Sequence, residues 1–263
     1  MLENLNSWLI LFPAGILAGV LSSVTGLASL VSYPTLLAIG VPPVFADVTN
    51  TAALVLTGLG SSISSQKELK NHKKELLKIL PLTIVGSIFG AVILLIEPAS
   101  SFTHIVPFFI LFAGLLLLFP ARKERKEMAD QPLKNANGKA SAILKKIAYA
   151  TAIFLVGAYG GYFGAAAGVI MLAIFSITSK SRFPVYNALK NISLGFSNLV
   201  ATIIYMFKSH IYWLLVIPLG AGLFLGGYIG PKIVRILPEK ILKIVVAAGA
   251  IILATSLFIQ TYK

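Results

Sequence analysis

A chain of 263 residues that is 57% hydrophobic and only 12% charged is not an ordinary soluble enzyme, since soluble domains carry roughly a quarter of their residues as charges. The formal net charge of +13 does not point to nucleic acid, because the Lys and Arg residues lie in short stretches between apolar runs, where they set membrane topology. Cysteine is absent and His72, His104 and His210 are scattered, so disulfides, thiolate chemistry and a histidine metal site are not expected.

Taken in chain order, the N-terminal stretch holds Glu3 and no Lys or Arg before the first apolar run. It lacks the basic start of a cleavable signal peptide, so the run from Trp8 onward is expected to remain as a membrane helix. Five apolar segments follow in the first half, at about 8–22, 29–40, 46–65, 77–96 and 102–120. Five more occupy the second, at about 147–163, 167–178, 185–207, 211–231 and 240–260. A full crossing needs roughly 20 residues, so the second segment of each half is short. Each short segment follows a glycine-rich break, at 22–29 and at 157–168. The first two segments of each half therefore read as a Gly-broken hairpin with an irregular tip shielded by protein. Between the halves, 121–146 is polar and charged without apolar periodicity and reads as a cytoplasmic linker.

The chain also reads twice. Gly19 to Gly26 (GVLSSVTG) is echoed by Gly157 to Gly164 (GAYGGYFG), and Ala46-Asp47-Val48-Thr49-Asn50 by Ala188-Leu189-Lys190-Asn191-Ile192. Pro81 precedes Gly86 and Gly90 as Pro218 precedes Gly222 and Gly226. All of the 22 Lys and Arg residues except Lys190, Lys208 and Lys263 fall on one side if 66–78, 121–146, the stretch with Lys180 and Arg182, and the stretch between the last two segments are cytoplasmic. The opposite loops hold Glu3, Asp47 and Glu97, which places both termini extracytoplasmic. An odd number of segments per half then makes the halves enter from opposite sides. The expected fold is an all-α polytopic membrane protein of two inverted-topology repeats, 1–120 and 147–263, of about five helical segments each.

The ordered set Gly26, Pro34, Gly40-Val41-Pro42-Pro43 and Ala46-Asp47-Val48-Thr49, then His210-Ile211-Tyr212-Trp213, Pro218, Gly222, Gly226-Gly227, Gly230 and Leu237-Pro238-Glu239, resembles the sulfite exporter TauE/SafE family. The resemblance covers nearly the whole chain and both repeats. It implies a cell-membrane transporter that moves sulfite, sulfonates or related organic anions outward by alternating access. The chain departs from the family pattern at Ser22, Ser23 and Thr25, where a denser glycine cluster is usual, and at Lys190-Asn191, where a small residue and Thr would be.

The substrate-binding candidates follow from the chemistry of an anion in a membrane. Lys190 is the one Lys or Arg expected inside an apolar span, a position that costs at least ~3 kcal/mol and calls for a partner. The alternative is a lysine that snorkels to the headgroups. Backbone N–H groups at the breaks, at Gly26, Ser29, Gly164 and Ala165, would hold anionic oxygens, with Ser23 and Thr25 adding hydroxyls. Close helix packing is the competing account of the glycines. Thr49, Asn50 and Asn191 supply neutral donors at helix starts, where capping is the alternative. Asn198, Ser61 and Ser62 extend the path. Asp47 reads as a membrane-edge carboxylate, and the scarcity of other buried acids argues against a proton wire and for export. No catalytic cluster is present, so an enzyme is not expected, and neither a cofactor nor a metal is called for. The expected partners are a small anionic substrate and the lipid bilayer, with no nucleic acid and with a homo-oligomer left open. An anion channel and a membrane scaffold or assembly factor are the competing functions.

Overall fold

The computed structural model describes residues 5–97, 138–164, 166–179 and 181–236, with isolated helical positions at 111 and between 241 and 259. Among these every regular element is helical. The helices are α1 (Leu5–Thr25), α2 (Ser32–Ala38), α3 (Pro43–Ser64), α4 (Gln66–Leu69), α5 (Lys73–Ile96), α6 (Gly138–Tyr162), α7 (Ala167–Thr178), α8 (Phe183–Lys208) and α9 (Trp213–Ile236), with a 3-10 turn at Ala28–Leu30 before α2. Within α1, α5, α6 and α9, the stretches Ser7–Thr25, Lys73–Ile96, Ile143–Tyr162 and Trp213–Ile236 are long and apolar enough to cross a membrane. The expected segment 102–120, most of 240–260 and the linker up to 137 lie outside the described residues. α6 starts at Gly138, upstream of its apolar run, because Lys139-Ala140-Ser141-Ala142 and the residues after them are mostly good helix formers despite their charge.

α3 and α8 begin alike, with Pro43 and Pro184 in their first turns, where proline's missing N–H costs nothing. Aligning these starts (Pro43-Val44-Phe45, Pro184-Val185-Tyr186) sets Asn50 opposite Asn191 and Thr49 opposite Lys190. That register is one residue off the pairing of Ala46 with Ala188.

Small residues decide which helices meet. α1 lies along α9 with Gly15 against Gly222 and Gly19 against Gly226, and α5 lies along α6 with Thr83 against Gly157 and Ser87 against Gly161. Residue numbers rise together in both pairs, so each pair runs parallel. Thr57 of α3 sits on Gly227 of α9, and Ser87 Oγ of α5 donates to the Ser197 carbonyl of α8 at 2.8 Å. Thus α1, α3 and α9 form one parallel set, and α5, α6 and α8 another. The sets join where α3 crosses α8, and a Cβ on Gly58 would come within 2.6 Å of the Gly195 Cα. Without a hydrophobic drive between helices in lipid, such close backbone packing is what holds them together.

Burial is inverted relative to a soluble protein. Leu9, Leu17, Leu77, Phe89, Leu155, Ile217 and Ile229 are exposed, whereas Asp47, Thr49, Asn50, Asn187, Lys190 and Ser197 are buried. The expected loop position of Asp47 does not hold: with Pro43 opening α3, Asp47 lies a turn inside the helix and is only 1% exposed.

Candidate functional site

Two interruptions of helical backbone make the centre of the molecule. α1 stops at Thr25 because Gly26 takes φ 85, a left-handed conformation open to glycine and costly for other residues. Its N–H closes back on the Leu21 and Ser22 carbonyls. α6 stops at Tyr162, and the chain then passes through Gly164 (φ 72) and Ala166 (φ 62) before α7 begins. Ala166 is the only non-glycine residue with positive φ among the described residues, an arrangement that stores roughly 1 kcal/mol or more of strain. The two breaks touch, and a Cβ on Gly26 would lie 2.5 Å from the Gly168 Cα.

One face of α8 donates to the last carbonyls of α1, at Ser23 and at Ser22, the latter shared with the Gly26 N–H. Lys190 Nζ donates to the Ser22 carbonyl at 2.9 Å and reaches the Ser23 carbonyl at 3.5 Å. Asn187 Nδ2 and Asn191 Nδ2 also donate to the Ser23 carbonyl, at 2.8 and 3.0 Å. Residues 187, 190 and 191 share a face because i, i+3 and i+4 are neighbours on a helix. A cation at the negative end of α1 is also favoured by the helix dipole. Lys190 is 1% exposed, so it does not snorkel. An ammonium has three N–H donors, and one remains for the cavity that Lys190 lines.

That cavity, of about 40 Å³, lies between the breaks and the α3–α8 crossing. Lys190, Asn191, Ser22, Ser29, Thr57, Ser61 and Asn198 give it polar groups. Gly26, Gly160, Gly164 and Gly168 form its backbone wall. Of the residues expected to bind substrate, Gly26, Ser29, Gly164, Lys190 and Asn191 are therefore brought together, and Ala165 lies outside the described residues.

The others are buried nearby with their polar groups engaged elsewhere. Ser23 Oγ donates to the Gly19 carbonyl at 2.8 Å, and Thr25 Oγ1 to the Leu21 carbonyl at 2.6 Å. Thr49 Oγ1 accepts the Tyr212 N–H at 3.2 Å, tying α3 to the segment before α9. Asn50 Nδ2 donates to Ser29 Oγ at 3.3 Å and so holds a cavity residue without lining the cavity itself. Asn187 and Thr57 were missed. An i, i+3, i+4 polar face on α8 was the available signal for the first, whereas a lone threonine in α3 gave none.

The sulfite exporter TauE/SafE profile matches residues 11–257. The chain belongs to the sulfite exporter TauE/SafE family. Similar proteins include a probable membrane transporter protein of Sinorhizobium sp, 25% identical, with 94% of this chain and 90% of that one covered. A probable membrane transporter protein of Haemophilus influenzae is 26% identical over 86% of this chain and 84% of its own. The probable membrane transporter YunE of Bacillus subtilis is 24% identical over 97% and 98%. No solved structure matches the chain. The TauE/SafE match runs through both breaks, the α3–α8 crossing and Lys190, so the cavity lies wholly within the family region.

Proposed function

We propose that the protein is a secondary carrier of the cytoplasmic membrane for a small sulfur-containing or organic anion, sulfite or a sulfonate, moved outward by alternating access. The observation that carries this reading is the meeting of the two glycine breaks around a buried cavity lined by Lys190 and Asn191. The ammonium supplies charge, the Asn191 amide and the Ser22, Ser29 and Thr57 hydroxyls supply neutral donors, and the start of α7 adds its dipole. At about 40 Å³ the cavity holds about three waters. A multi-oxygen anion is larger, so binding requires the walls to part.

The two parallel helix sets support an inverted repeat in which each half lends its outer helix to the other. The partners α1–α9 and α5–α6 exchange under such a two-fold relation, and the α3–α8 crossing maps onto itself. Rocking of one set against the other would expose the cavity to each side in turn. The test is counterflow in vesicles reconstituted with the full chain, using labelled sulfite, sulfoacetate and taurine. Saturable acceleration of labelled uptake by internal unlabelled anion is expected, with the zwitterion taurine weakest. Linear, unsaturable flux would mean a channel, and no flux of any of the three would sink the carrier.

A further inference from the structure

We propose that Asp47 is a proton-binding site that couples anion movement to one proton travelling in the same direction. The inference rests on the carrier reading above. Asp47 is 1% exposed, and neither carboxylate oxygen has a hydrogen-bond partner among the described residues. The two ion pairs seen among those residues, Arg235–Glu68 and His72–Glu75, do not involve it. A carboxylate taken out of water without a hydrogen bond or a cation is a strongly unfavourable species, so this side chain needs a charge partner of its own.

The groups around it are phenols, not cations. Tyr33 of α2, Tyr159 and Tyr162 of α6 and Tyr205 of α8 lie within electrostatic range of the carboxylate. Tyr205 donates its hydroxyl to the Gly161 carbonyl, and Tyr162 donates to Glu97 at 2.9 Å. At the start of α3, Phe45 packs edge-on against His210 and Tyr212. On the inner end of α9, Tyr228 sits under Lys232 and Arg235 pairs with Glu68. Lys190 of α8 is directed to the Ser22 and Ser23 carbonyls. No group of three or more His, Asp or Glu among the described residues forms a metal cage. The partner that fits is a proton.

Charge balance links this site to the cavity. With the cavity empty, the Lys190 ammonium and an ionised Asp47 would be opposite charges in the same buried core, not bonded to each other. A bound monoanion cancels the ammonium instead and leaves the carboxylate alone, so binding the anion favours binding H⁺ at Asp47. Carboxylate plus proton gives the neutral acid on one side, and the reverse step releases the proton on the other. Loaded and empty forms then both carry no net buried charge. Transport of a monoanion becomes electroneutral, and its direction follows the anion and proton gradients together.

The experiment uses vesicles holding the full chain, a trapped pH dye and methanesulfonate, a sulfonate that is a monoanion throughout the pH range used. Imposing a methanesulfonate gradient should change the lumen pH in wild type, and an imposed pH difference should drive methanesulfonate accumulation. An imposed potential should do neither. Asp47→Asn, close in shape to the neutral acid, should keep methanesulfonate counterflow but lose both proton effects to the level of protein-free vesicles. Asp47→Glu should restore part of them. In infrared spectra of the same samples, the carboxylic-acid carbonyl band strengthened by methanesulfonate should be absent from Asp47→Asn. Counterflow in wild type without a pH change overturns the coupling and leaves the carrier standing. Absence of counterflow in wild type defeats the carrier itself, and the coupling with it. Proton effects that survive in Asp47→Asn, or accumulation driven by Na⁺ instead of pH, overturn the assignment.

Discussion

α3 and α8 open with the same chemistry, Pro43-Val44-Phe45 against Pro184-Val185-Tyr186, and then part company over their next turn. α8 spends its buried face on one cation and two amides: Asn187, Lys190 and Asn191 donate to the Ser22 and Ser23 carbonyls at the end of α1. α3 places Asp47 and Asn50 at the corresponding depth, with Asp47 unpaired and Asn50 holding Ser29. Two helices that start alike thus bury side chains of opposite chemistry. The difference teaches that a shared helix start supplies scaffold, while the residues that follow it supply the charge chemistry.

The contact shared by both breaks offers the largest way to break the comparison. Gly26→Leu would drive a side chain into Gly168 and force a left-handed φ on a branched residue. Counterflow should fall to the level of protein-free vesicles, and Gly168→Leu should match it. Substantial transport by Gly26→Leu would show that the breaks need not touch.

Removing the buried cation alone comes next. Lys190→Ala abolishes the bond to Ser22 and the charge at the cavity, and anion transport should drop by about tenfold or more, the loss of one charge-assisted contact. Lys190→Arg keeps the charge with altered reach and should fall between the two. Size-exclusion profiles of all three proteins check folding. Equal transport by the three would leave Lys190 only as the cap of α1.

Much of this comparison was legible in the sequence. Gly26 and Gly164 marked both breaks because no other residue type sits as readily in left-handed backbone, and Lys190 stood out because charge is rare in apolar spans. What was hidden depended on side-chain direction and register. Ser23 and Thr25 read as free hydroxyls, yet in a membrane helix such hydroxyls turn back to their own i−4 carbonyls, Gly19 and Leu21. Asp47 read as an edge residue because its burial turns on α3 starting at Pro43, a matter of one helical turn. The pairing of α1 with α9 and α5 with α6 joins residues about 200 and 70 positions apart, so only the matching glycine spacings hinted at it.

The smallest expected effect lies at the basic end of the molecule, away from Asp47 and Lys190. Arg235 at the end of α9 grips Glu68 through two bonds, at 2.7 and 2.9 Å, and also donates to the Ser64 carbonyl at 2.6 Å. The hydrogen bond from Arg235 holds the Glu68 carboxyl below the ordinary carboxylate range. A depressed folded value means that the contribution to stability is complete above the unfolded value of about 4.3 and is lost as pH falls through the folded one. Partly exposed pairs contribute about 1 kcal/mol at most, so Glu68→Gln should lower the thermal midpoint by about 2 °C or less at pH 7. Below the folded value the mutant and wild type should melt together, and counterflow should be unchanged at pH 7. A mutant that transports normally but shows the same melting difference at low pH would mean that Glu68 acts through packing against α9, not through its charge. A mutant that loses transport would place the Arg235–Glu68 clasp in the moving boundary between the two helix sets, and the separation of scaffold from charge chemistry drawn from α3 and α8 would fail there.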